Sequence, residues 1–112
     1  MNILLVNRKL QKECSDSKLL SRRHGPRRAQ LITRRLAELR FANCLEELRN
    51  LPGPRCHELR SNRAETFSVD LDHPYRLLFD VANEPVPRHP DGGIDWKSVT
   101  AITILEIADT HE

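Results

Sequence analysis

An α+β fold, helices first and a mostly antiparallel sheet after, is the class this sequence predicts, and three observations predict it. In the first half apolar residues recur at helical spacing, most clearly Ala29, Ile32, Leu36 and Leu39. Beyond Pro52-Gly53-Pro54 the period drops to two, with Phe67, Val69 and Leu71 alternating against Thr66, Ser68 and Asp70. The opening "MNILLVN" is a continuous apolar run of strand length, so one strand precedes the helices. The expected order is β-α-α-(short α)-β-β-β-β, in a single domain over residues 1–112.

Taken in order, "MNILLVN" suits a buried, central place in the sheet. "RKLQKECSDSKLLSRRHG" reads as one helix, or as two joined near Ser15-Asp16-Ser17, ending at Gly25 as a left-handed C′ residue. Pro26 fits the first turn of the next helix, where a missing N–H costs little. With one stripe of that helix buried, Arg27, Arg28, Arg34 and Arg35 are expected to face solvent or a partner. Asn43 followed by Glu46 resembles a helix start, and "CLEELRNL" is a short helix stopped by the Pro-Gly-Pro. "CHELR" is the next strand, with Ser61-Asn62 as its turn. "ETFSVDL" and "YRLLFDV" pair as an antiparallel hairpin around "DHP", with Tyr75, Leu77, Phe79 and Val81 on one face. Residues 83–98, with three prolines and two glycines, form a long loop of the kind that is either functional or mobile. Its Trp96 either lids the edge of the core or meets a partner. "AITILEIA" is the last strand, followed by Asp109 and His111.

Composition bounds the function. Hydrophobic residues at 38% and charged residues at 30% describe a globular rather than a disordered or fibrous chain. No apolar run approaches the roughly 20 residues of a membrane span, and "ILLV" is too short for a signal peptide, so a cytoplasmic protein without membrane partners is expected. Cys14, Cys44 and Cys56 form an odd count without paired spacing and read as reduced, mostly buried small hydrophobes. Net charge is +2, but residues 1–63 carry 15 Lys and Arg against 6 Asp and Glu, whereas residues 64–112 carry 3 against 10. Such asymmetry points to nucleic acid or an acidic partner, or else to a solvated helical face. Fourteen of the 18 basic residues are arginine, which favours bidentate binding of phosphate or carboxylate.

The residues able to do chemistry lie in the second half: His57, Arg60 and Arg63 in "RCHELRSNR", Arg76 opposite the Tyr75 row, and Asp109 and His111 at the end. Histidine titrates near neutrality, and two histidines among guanidiniums suit cleavage of a phosphodiester by its own 2′-OH. A base takes the 2′-OH proton, cations hold the charge building on phosphate, and an acid protonates the 5′-oxygen. The chemistry needs no metal or other cofactor, and no ligand spacing suggests one. The same residues also have ordinary readings: His57 as a structural hydrogen-bonder, Arg76 as a counter-ion to Asp70 or Asp80.

"NLPGPRCHELRSNRAETFSVDLDHPYRLLFD" with "LEIADTHE" resembles the RelE/ParE superfamily of bacterial type II toxins, and within it the HigB-like killer toxins. That branch has a histidine followed by x-Leu-basic and an arginine, an aromatic-Arg-aliphatic-x-aromatic strand, and a C-terminal Asp-Tyr-His. Here these positions are held by His57, Leu59, Arg60 and Arg63, by "YRLLF" with Arg76, and by Asp109-Thr110-His111. The resemblance implies helices packed on one face of a curved sheet, and a messenger-RNA endonuclease acting in the ribosomal A site. It also implies restraint by a HigA-like helix-turn-helix antitoxin, through which alone operator DNA would be bound. By the same resemblance Asp109 and His111 belong to the catalytic group, His57 is the other proton-transfer group or a substrate orienter, and Arg60, Arg63 and Arg76 bind the scissile and flanking phosphates. The chain departs from the pattern at Thr110, where the branch has tyrosine, and at Ser68 and Asp70, where RelE has lysines. Two other classes stay open: a non-nucleolytic inhibitor of DNA gyrase of the ParE kind, and a catalytically weak toxin-fold partner in a DNA-bound antitoxin complex.

Overall fold

The computed structural model describes residues 1–60 and 65–109. Its elements are β1 (Asn2–Leu5), α1 (Arg8–Ser15), α2 (Ser17–His24), α3 (Pro26–Phe41), α4 (Glu46–Arg49), β2 (His57–Glu58), β3 (Thr66–Asp70), β4 (Tyr75–Val81) and β5 (Ala101–Asp109), with a 3-10 turn at Trp96–Ser98. The class is α+β. One five-stranded sheet has the order β1-β5-β4-β3-β2, antiparallel at every pair except β1 on β5, which is parallel.

β1 corrects the expectation of a central strand. It lies at the edge of the sheet, with Ile3 and Leu5 turned toward the core while Leu4 and Val6 are 55% and 48% exposed. A four-residue strand with a neighbour on one side only is not covered on both faces, and an unbroken apolar run does not by itself specify two-sided burial.

The helices break where polar residues cap them. Asp16 closes α1 through its N–H to the Glu13 carbonyl and opens α2 by accepting from the N–H groups of Lys18 and Leu19. Gly25 has φ 83° as expected, but ψ 155° places it in extended mirror-image backbone that is essentially reserved for glycine. Pro26 then opens α3, whose Ala29, Ile32, Leu36 and Leu39 are buried. At α4 the residue reaching back to Asn43 is Glu47 rather than Glu46, accepting from both the backbone N–H and the side-chain amide.

The α3 arginines do not share one fate. Arg27 and Arg34 face solvent. Arg28 instead donates twice to Asp72 at 2.9 and 3.0 Å and lies 3.4 Å over the Tyr75 ring. Arg35 is buried, donating to the carbonyls of Asp70 and Gly53 and to Glu38. Both corrections have one cause: a guanidinium is long enough to leave the polar side of its helix and satisfy loop carbonyls or carboxylates at the sheet edge.

β3 and β4 form the expected antiparallel hairpin, with Phe67 opposite Phe79 and Asp70 opposite Arg76, and the Tyr75 N–H closes its turn on the Asp72 carbonyl. Strand "CHELR" contracts to His57–Glu58, and its Ser61-Asn62 turn lies outside the described residues. Toward the helices the sheet presents Phe67, Val69, Leu77, Phe79, Ile102 and Ile104, all fully buried, with the Phe67 and Phe79 rings stacked at 5.6 Å. Trp96 meets Phe67 edge-on at 5.1 Å and carries the Arg49 guanidinium over its other face, so it lids the core. Residues 83–98 are packed rather than loose. Ile94 is buried, Arg88 bridges to Ile94 and forks onto Glu65, and the Asn83 side chain binds the Thr100 and Ala101 N–H groups.

Candidate active site

The sheet face turned away from the helices carries a second, small apolar cluster of Leu59, Leu78 and Ala108. The pleat decides what surrounds it. Residues directly opposite in an antiparallel ladder share a face, so His57, Ser68 and Leu78 lie in one row, and Asp70, Arg76 and Ala108 in the next. A pocket of about 290 Å³ opens there, lined by Arg55, His57, Glu58, Leu59, Arg60 and Arg76. Three of the six site residues expected from the sequence, His57, Arg60 and Arg76, therefore meet at one place.

The His57 ring is held at both nitrogens. Nδ1 lies 3.0 Å from the Arg55 carbonyl, an acceptor only, so Nδ1 carries the hydrogen and donates. In the neutral ring the lone pair is then on Nε2, 3.5 Å from the hydroxyl oxygen of Ser68. Ser68 is fully buried beneath it. This tautomer puts the ring's acceptor at Nε2, within reach of the Ser68 hydroxyl, in a pocket lined by three guanidiniums.

Asp70 is the anionic counterweight. Its Oδ1 is 3.5 Å from Arg76 Nε and its Oδ2 is 3.4 Å from Arg55 Nη1. Of the two ordinary readings of Arg76, the partner is thus Asp70. The Asp70 main chain is pinned on both sides, its N–H donating to the Pro54 carbonyl and its carbonyl accepting from Arg35 Nε, each at 2.7 Å.

Of the three remaining expected residues, one is described. Asp109 stands opposite Tyr75, on the helix-bearing face of the pleat, and does not line the pocket. The β5 bulge at Leu78/Phe79 shifts the pairing by one residue, a change of face that simple alternation from Ile102 does not foresee. Arg63 and His111, with Thr110, lie outside the described residues. Arg55 was missed, although it sits two residues before His57, where period-two spacing would have put it on the same side.

Cys56, next to His57, offers no nucleophile: burial pushes its thiol up to about 12. A second polar cluster lies between α1 and α2, where His24 Nε2 and Arg23 donate to buried Glu13 at 2.6 and 3.0 Å. Burial raises the Glu13 carboxyl, but the hydrogen bonds from His24 and Arg23 outweigh it and hold the group below its ordinary value. Those bonds tie α1 to α2. Among the described residues no three His, Cys, Asp or Glu side chains are grouped so as to hold a metal ion, and no helix is long and apolar enough to cross a membrane.

No protein-family model matches this chain, and no curated protein matches it.

Proposed function

We propose that this chain is the toxin of a type II toxin–antitoxin system, a HigB-like member of the RelE/ParE superfamily that cleaves messenger RNA on the ribosome without a metal. One observation carries the reading: His57, Arg60 and Arg76, named from sequence motifs separated by up to 19 positions, line a single open pocket on the helix-free face of the sheet. In that pocket His57 acts as the base through Nε2, the nitrogen that the Nδ1–H bond to the Arg55 carbonyl leaves unprotonated. It takes the 2′-OH proton as oxygen attacks phosphorus; Arg76 and Arg60 stabilise the charge on the phosphoryl oxygens; an acid protonates the departing 5′-oxygen. His111 takes the acid role by resemblance alone. Partners on this reading are the ribosome, its messenger RNA and a HigA-like antitoxin.

A second reading, a catalytically weak toxin-fold partner, is favoured by the place of Asp109 on the opposite face of the pleat. Induced expression separates the two when messenger-RNA 5′ ends are mapped beside growth for wild type, His57→Ala and His111→Ala. The nuclease gives arrest with codon-phased cuts, and removing one proton-transfer group lowers cutting by about 10²–10⁴-fold. Arrest without cuts, unchanged by either substitution, rejects it and turns attention to a protein target such as gyrase.

A further inference from the structure

The pocket holds one guanidinium more than the phosphate-binding set of Arg60 and Arg76 requires. Arg55 lines it, with its side chain 72% exposed and its backbone at φ 48°, left-handed geometry that a non-glycine residue occupies at a cost. Such a conformation persists only where the surroundings hold it, and strained residues cluster at ligand sites. Here its carbonyl receives the His57 Nδ1–H, so a single backbone turn sets the imidazole and the Arg55 guanidinium together.

Asp70 explains the aim of that guanidinium. Its two oxygens are divided between Arg55 and Arg76, one to each, so the two forks stand at the spacing of a two-oxygen anion. Contacts of 3.4 and 3.5 Å are longer than the roughly 2.7–2.9 Å of a committed charge-assisted bond. They use one nitrogen of each guanidinium, and among the described residues neither fork has another partner. Of five N–H donors per arginine, most of the exposed Arg55 fork is left for a ligand, while Arg76, only 16% exposed, offers its spare donors where it lines the pocket. The Asp70 main chain is pinned from both sides, so the backbone from which its carboxylate projects is fixed.

We infer that Arg55 and Arg76 together grip one phosphate of a nucleic-acid strand beside His57, with Asp70 as the positioning residue that aims both guanidiniums; this rests on the pocket being a nucleic-acid site. The non-bridging oxygens of a phosphodiester match the pattern that the Asp70 oxygens already reveal.

The test is binding of a short, uncleavable 2′-O-methyl single-stranded RNA to the full chain, followed by fluorescence anisotropy over a range of salt. Arg55→Gln and Arg55→Gly weaken binding about tenfold and flatten the logarithmic salt slope by about one. Arg55→Gly melts no lower than wild type, since glycine takes φ 48° freely, so its loss of binding is not a loss of fold. In an Asp70→Asn background, with the aiming carboxylate gone, Arg55→Gln weakens binding by less than about threefold. Arg55 variants that bind like wild type while Arg76→Gln binds weakly overturn the role of Arg55 and leave the nucleic-acid site standing. An unchanged Arg55 penalty in Asp70→Asn overturns the positioning role. Wild type that binds no RNA at low salt overturns both the grip and the site beneath it.

Discussion

Two sets of arginines face each other across the end of β3, and they are held in opposite ways. Arg28 and Arg35, reaching up from α3, make hydrogen bonds of 2.7–3.2 Å to carboxylates and carbonyls and are largely or fully buried. Arg55 and Arg76, on the far side of the sheet, share one carboxylate at 3.4 and 3.5 Å. The first pair is consumed by the fold; in the second, the exposed Arg55 has donors to spare, and Arg76, 16% exposed, keeps those that line the pocket. The basic first half of the chain is therefore not one basic face. Part of its charge is structural, part is exposed along the helices as at Arg27 and Arg34, and Arg55 and Arg60 line the pocket where the sheet turns its back on the helices.

The largest expected effect tests the consumed set. Arg35→Leu strips donors from the carbonyls of Asp70 and Gly53 and leaves Glu38 without its main partner. It should cost about 3 kcal/mol in urea unfolding, and a cost under about 1 kcal/mol would mean the guanidinium is not committed as its distances indicate. Arg28→Gln comes next, at about 1 kcal/mol, because the Asp72 pair is one-fifth exposed and partly screened. That variant also carries a pH signature. Hydrogen bonding from Arg28, offset in part by burial, holds the Asp72 carboxyl below its ordinary value. A depressed carboxyl stabilises the fold above its unfolded value of about 3.9 and loses that contribution as pH falls through the folded value. Urea midpoints measured downward from pH 5 should thus decline less steeply in Arg28→Gln than in wild type; parallel declines would deny the linkage.

The smallest effects belong to the available set, and there the sign is informative. Arg76→Gln removes a long contact and should change stability by less than about 1 kcal/mol while disabling the pocket, which denaturation and cleavage assays on the same sample would separate. Arg55→Gly should be neutral or stabilising by up to about 1 kcal/mol, since relief of left-handed strain opposes the entropy that glycine adds to the unfolded chain. A loss of stability at position 55 would move Arg55 into the structural set and erase the distinction between the two.

The sequence by itself determined what depends on local periodicity and backbone chemistry. The α+β order, glycine at position 25, proline opening α3, the Ala29–Leu39 stripe and the Phe67–Val81 hairpin all follow from spacings of 2 or 3.6 and from residues with restricted φ, while the same spacings allow either one helix or two before Gly25. Alternation in that hairpin also sufficed to put Arg76 on the face away from Tyr75. What only the tertiary structure decided are matters of reach and pairing between distant segments. Whether β1 sits at the centre or the edge depends on which strands find it, and its apolar run is compatible with both. Whether an arginine serves the fold or a ligand depends on which carbonyls lie within the length of its side chain, which helical spacing does not encode. Asp109 shows the same limit at the site: one bulged residue in β5 resets the pleat, and two-residue periodicity carries no memory across it. Arg55 gained meaning only when a turn after Pro-Gly-Pro brought it against Asp70, more than ten residues away, because a shared carboxylate is a property of three positions in space and of no one stretch of chain.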